Sequence, residues 1–206
     1  MGSINEKSLL VLPTSIGVLA LAAILTVYGT VAIATARRSR GQARAILALG
    51  FLLRGIGFCL GALRGYAPDL LAVQAGNTLV TAGSALFFSG ISVLAGKSAR
   101  LPLASAYIVF GAFSNAFTAL YPQDLRLRVI AVSLTQALPV LAAAVLIALS
   151  PGYRRKGPFR IAGAAFGATG AALAFRAALA WFSPPDADFY GVGPFMLIVY
   201  ADAIGS

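Results

Sequence analysis

The chain has 206 residues, of which 59% are apolar and 11% charged, and its mean hydropathy of +0.87 excludes an ordinary water-soluble domain. Its formal charge of +10 sits in short Lys/Arg clusters between apolar runs, where membrane orientation and anionic headgroups account for it and nucleic acid does not. The absence of histidine, together with a single cysteine, Cys59, within an apolar run, removes the usual haem, copper and zinc ligands and any internal disulfide. No metal and no cofactor is expected.

Crossing a hydrocarbon layer of about 30 Å takes about 20 mostly apolar residues in a helix. Runs at residues 8–36, 45–63, 70–96, 103–121, 129–149, 161–182 and 192–206 meet or approach that requirement. They predict an all-α integral membrane protein, a single bundle of seven transmembrane helices. The first run carries Pro13 near one end and is followed by Arg37, Arg38, Arg40 and Arg44. The second holds Arg54 at its middle and a Gly57-x-x-x-Gly61 pair. A turn over residues 64–69 leads to the third run, and Lys97, Arg100 and Pro102 form the turn after it.

Tyr107, Ser114, Thr118 and Tyr121 share a face of the fourth run, with Asn115 beside them. Residues 122–128 form the connection to the fifth, where Ser133 and Gln136 lie one turn apart and Pro139 predicts a kink. Arg154, Arg155, Lys156 and Arg160 precede the sixth run, which carries Gly163-x-x-x-Gly167 and Arg176. An acidic turn over residues 183–190 leads to the seventh run and Asp202. That run spans only about 22 Å at 1.5 Å per residue, which predicts a cytoplasmic output domain following residue 206.

Orientation follows from the basic residues. The first, third and fifth turns carry Arg37, Arg38, Arg40, Arg44, Lys97, Arg100, Arg154, Arg155, Lys156 and Arg160, against Lys7, Arg64, Arg126 and Arg128 on the other side. The positive-inside bias therefore predicts the amino terminus outside and the carboxyl terminus in the cytoplasm.

The third run is the most informative. It contains no charge over residues 70–96, yet Gln74, Asn77, Thr81 and Ser84 line one helical face and Gly76, Gly83 and Gly90 recur every seven residues. Small residues admit a neighbouring backbone and polar ones seek partners inside a bundle, so this helix belongs near the centre. With Tyr107, Ser114 and Asn115 across from it, the polar stripe either packs against neighbours or lines an outward-facing cavity for an unknown small ligand. Three charges lie within spans: Arg54, Arg176 and Asp202. Arg54 and Asp202 are each about 15 Å from a membrane edge, which predicts a pair, as a register lock or as a ligand or proton site. The glycine pairs at Gly57 and Gly61 and at Gly163 and Gly167 suit helix packing or association with a second copy or other membrane chains.

No lysine lies in the last run, no internal repeat is evident, and no Walker, GxSxG or HExxH pattern occurs, so no enzyme is expected from these residues. The segments Leu63-Arg64-Gly65-Tyr66-Ala67-Pro68-Asp69, Gly76-Asn77-Thr78-Leu79, Phe88-Ser89-Gly90-Ile91 and Tyr121-Pro122-Gln123-Asp124-Leu125-Arg126-Leu127-Arg128-Val129 resemble the polytopic amino-terminal region of bacterial GGDEF-type diguanylate cyclases. The resemblance covers the chain from about residue 45 onward. It implies a sensor in the bacterial cytoplasmic membrane that passes a signal through its last helix to a dimeric cyclase domain in cyclic di-GMP signalling. It implies no particular ligand, and no GGDEF sequence occurs in the chain. The rival readings are a small-solute transporter or channel-like bundle and an accessory subunit of a larger membrane complex.

Overall fold

A bilayer offers backbone N–H and C=O groups no water, so long apolar runs satisfy them internally as helices. The computed structural model describes residues 41–63, 66–120, 124–151 and 157–182. Among them are five helices long and apolar enough to cross a membrane and no strand. The expected spans at residues 8–36 and 192–206, with Asp202, lie outside the described residues.

We label the helices α1 (Gln42–Ala62), α2 (Gly76–Leu94), α3 (Leu101–Ala119), α4 (Leu125–Leu149) and α5 (Gly157–Phe182). Four of the five begin earlier than their apolar runs. Pro102, expected in a turn, sits in the first turn of α3, where its missing N–H would have no intrahelical partner anyway. Arg126 and Arg128, expected in a connection, are helical because Asp124 caps α4, its Oδ1 accepting from the Leu127 N–H at 2.8 Å. The helix then continues through Pro139. Gly96, at φ +73°, supplies the left-handed residue just after α2.

The third run is not α-helical throughout. Leu70–Ala75 form a π-helical turn, closed by the Gly76 N–H donating to the Leu71 carbonyl five residues back. From there α2 occupies the centre of the described bundle, touching α1, α3 and α4, while α5 packs on α4. Two-thirds of the spanning window of α2 (67%) is buried, against 17–39% for the other four.

The heptad glycines are spent on the α1–α2 contact. A Cβ at Gly83 would stand 2.5 Å from both the Gly50 carbonyl oxygen and Arg54 Cγ, and one at Gly76 would stand 3.0 Å from the Gly57 carbonyl oxygen. Reciprocally, a Cβ at Gly57 would lie 2.7 Å from the Gly76 carbonyl oxygen. The contacts descend α1 as they ascend α2, so the two helices run antiparallel with backbones touching. Nearer the other end of α2, Ile91 joins Ala143, Leu146 and Ile147 of α4 in an apolar core edged by Leu47, Phe159 and Phe166.

The outer faces are equally apolar. Phe110, Phe113 and Phe117 of α3 are 57%, 72% and 53% exposed, an aromatic strip that suits hydrocarbon and would be a large liability in water.

Candidate functional site

A hydroxyl within a helix usually donates back to the carbonyl one turn earlier. Ser84 does this to Val80 at 2.9 Å, Ser92 to Phe88 at 2.8 Å, and Thr135 to Ala131 at 2.9 Å. Those groups are satisfied within their own helices. Thr81, Ser89 and Ser133 are buried as deeply, at 0–1% exposure for the three, yet their hydroxyls find no hydrogen-bonding partner.

Thr81 sits where α2 meets α3. A Cβ at Gly111 would lie 2.6 Å from the Thr81 methyl and 3.8 Å from its hydroxyl, so the methyl packs against α3 and the hydroxyl turns aside. One turn toward the start of α2, Thr78 Oγ1 accepts from Asn115 Nδ2 at 3.2 Å, while the Asn115 Oδ1 is buried without a partner. Thr118 donates to the Asn115 carbonyl at 2.9 Å. The α2–α3 contact thus holds a small polar cluster of Thr78, Thr81, Asn115 and Thr118, with one hydroxyl and one amide oxygen unpaired.

The sequence-predicted stripe is divided by this geometry. Thr81 and Asn115 come together, but Ser84 turns back on its own helix, and Tyr107 donates to the Thr135 carbonyl of α4 at 2.9 Å rather than to α2. Gln74 lies in the π turn, and Asn77 and Ser114 are half-buried near the same end of the bundle. Thr78, four residues after Gln74 and three before Thr81 but outside the expected stripe, is the side chain that reaches Asn115.

No protein family, curated protein or solved structure matches the chain. Residue geometry is therefore the sole ground for assigning the site.

Of the intramembrane charges, Arg54 lies on α1 with its guanidinium 5.4 Å from the centre of the Phe87 ring and 5.7 Å from that of Phe58, a cation–π arrangement that offsets part of the desolvation of the charge. Its expected partner Asp202 is outside the described residues. Arg176 is half-buried on α5. Gly163 and Gly167 face α4, where a Cβ would meet Ile147 at 3.0 Å and Ala144 at 3.9 Å, whereas Gly61 meets nothing within 4 Å. No group of His, Cys, Asp or Glu able to hold a metal occurs among the described residues.

Sequence reasoning passed over Arg128. Treated as a loop residue, it proves to be 7% exposed, with a buried Nε that no acceptor meets. Its signal was the Asp124 cap, which starts the helix early and carries Arg128 onto the face later occupied by Thr135 (seven residues on, two turns).

Proposed function

We propose that this chain is the membrane-embedded input module of a bacterial signalling protein. In this reading it is a seven-helix bundle of the cytoplasmic membrane, amino terminus outside, which passes a change of helix packing to a cytoplasmic output domain. The observation that carries the reading is the state of the α2–α3 contact. The most buried helix places Thr81 Oγ1 against its neighbour with no partner, and Asn115 Oδ1 faces the same situation from α3.

A buried polar atom left unsatisfied costs about 1–3 kcal/mol. Two of them are enough to bring a second packing, in which they gain partners, within a few kcal/mol of this one. The glycine-locked α1–α2 pair makes the α2–α3 contact the softer of the two. A bistable contact of this kind is what a stimulus needs to act on, whether it arrives from outside or from within the membrane.

The test is a fusion of the whole chain to a diguanylate cyclase domain, with cyclic di-GMP as the readout. Asn115→Leu and Thr81→Val remove the unpaired atoms and should fix the output at one level. Output identical to wild type for both variants under every condition would refute the reading. Solute flux through the unfused chain in proteoliposomes would favour a transporter instead.

A further inference from the structure

Arg128 lies in the first turn of α4, the outer end of the bundle in the proposed orientation. It is 7% exposed, its Nε lacks an acceptor, and among the described residues no carboxylate pairs with it. Asp124, one turn earlier, commits Oδ1 to capping the helix at Leu127 and is itself exposed. A buried guanidinium N–H without an acceptor is costly, and a ligand that reaches the Arg128 head group would supply both the acceptor and a counter-charge.

The facing residues can be placed from one hydrogen bond. Tyr107 of α3 donates to the Thr135 carbonyl of α4 at 2.9 Å, which fixes the register of these two consecutive, antiparallel helices. Seven residues onward from Tyr107 is Ser114, and seven back from Thr135 is Arg128. Both steps return to the same helical face, and both run about 10 Å toward the same end of the bundle. Arg128 and Ser114 therefore lie toward the same end of the α3–α4 contact. Beside Ser114 is Asn115, 2% exposed, with its unpaired Oδ1.

We infer that Arg128, Ser114 and Asn115 form a binding site for a small oxyanion that also carries a hydroxyl group. The guanidinium supplies charge and paired N–H donors for a carboxylate or phosphate. Ser114 supplies a further donor. Asn115 Oδ1 can only accept, so the ligand must bring a donor of its own. A hydroxyl fits better than an ammonium, which Arg128 would repel. Two sources share this chemistry: a free hydroxy-acid anion, and the glycerol phosphate headgroup of phosphatidylglycerol. As the stimulus of the module the ligand rests on the sensor reading; as a binding site it rests on the geometry alone.

The experiment follows thermal unfolding of the whole chain in phosphatidylcholine nanodiscs titrated with lactate, propionate or chloride at equal ionic strength, and in nanodiscs containing phosphatidylglycerol. The site predicts that lactate raises the midpoint more than propionate, which lacks the hydroxyl, or that phosphatidylglycerol does so; which of the two acts identifies the source. Arg128→Gln should weaken the response about 10- to 100-fold, the range expected for lost charge-assisted hydrogen bonds, without lowering the midpoint of the unliganded protein. Asn115→Leu should erase the preference for lactate over propionate.

Equal responses in wild type and Arg128→Gln would overturn the site. So would a lowered midpoint for Arg128→Gln with no response to either source in wild type, because Arg128 would then serve an internal carboxylate. Binding that leaves the cyclase fusion indifferent supports the site and counts against the sensor reading. An output that responds to Asn115→Leu without any binding does the reverse.

Discussion

Replacing Gly83 by alanine isolates the energy of the α1–α2 contact. Two opposing terms act at this position. Alanine is favoured over glycine in a helix interior by about 1 kcal/mol. Against this, the new methyl would lie 2.5 Å from the Gly50 carbonyl oxygen and from Arg54 Cγ, and the carbonyl belongs to backbone that cannot rotate away. Overpacking of this kind typically costs about 1–3 kcal/mol. Gly167→Ala provides the control: it too is mid-helix, but its Cβ would meet only Ala144 Cβ at 3.9 Å, an ordinary contact. The propensity gain cancels between the two variants. Gly83→Ala should therefore be less stable than Gly167→Ala by about 1–3 kcal/mol, and Gly167→Ala should equal or exceed wild type. Reversible unfolding in mixed micelles, or steric trapping in bicelles, measures the difference. Equal stability of the two variants would refute the inference that the helices meet backbone to backbone at Gly83.

Tyr107→Phe deletes the hydroxyl that joins α3 to the Thr135 carbonyl and should destabilise by about 0.6 kcal/mol, the average for an interhelical hydrogen bond in a membrane protein, read by the same unfolding assay. Asp124→Ala removes the cap of α4 and should cost about 1 kcal/mol, with faster hydrogen exchange confined to the Leu125–Leu127 amides. Orientation is open to cysteine labelling in a Cys59→Ser background. Leu120→Cys, at the end of α3, should react with an impermeant maleimide on intact cells, and Ser98→Cys, in the turn after α2, only after permeabilisation; the reverse pattern would invert the proposed topology.

The five described helices and the centrality of α2 were legible because hydrophobic length and heptad glycine are direct consequences of bilayer thickness and of backbone approach. Gly76, Gly83 and Gly90 announced a close neighbour without saying which; the reciprocal glycines Gly50 and Gly57 identify α1. The polar stripe was legible only in part. Spacing alone does not distinguish Ser84, which bonds its own helix, from Thr81, which does not, because the difference is one of side-chain rotamer. Thr78 fits the same spacing, four residues after Gln74 and three before Thr81, but spacing serves Asn77 equally and does not say which of the two meets α3. Arg128 was hidden by the habit of ending a span at its first charge, whereas a capped helix admits charges in its opening turn when a bundle covers them.

The π turn at Leu70–Ala75 bears on how such a chain tolerates changes in length. A wide turn holds one residue more than the α-helix would need over the same rise. A deletion there tightens the turn to ordinary α geometry, and the change falls on the turn's own contacts with α1 and α3 rather than on those of the α2 glycines. The glycines of α2 keep their alignment, and so do Thr78 and Thr81 against α3. Outside that turn, the same deletion within α2 would swing every later side chain by about 100° and part the helices. The segment before α2 can thus vary in length while the interior stays in step.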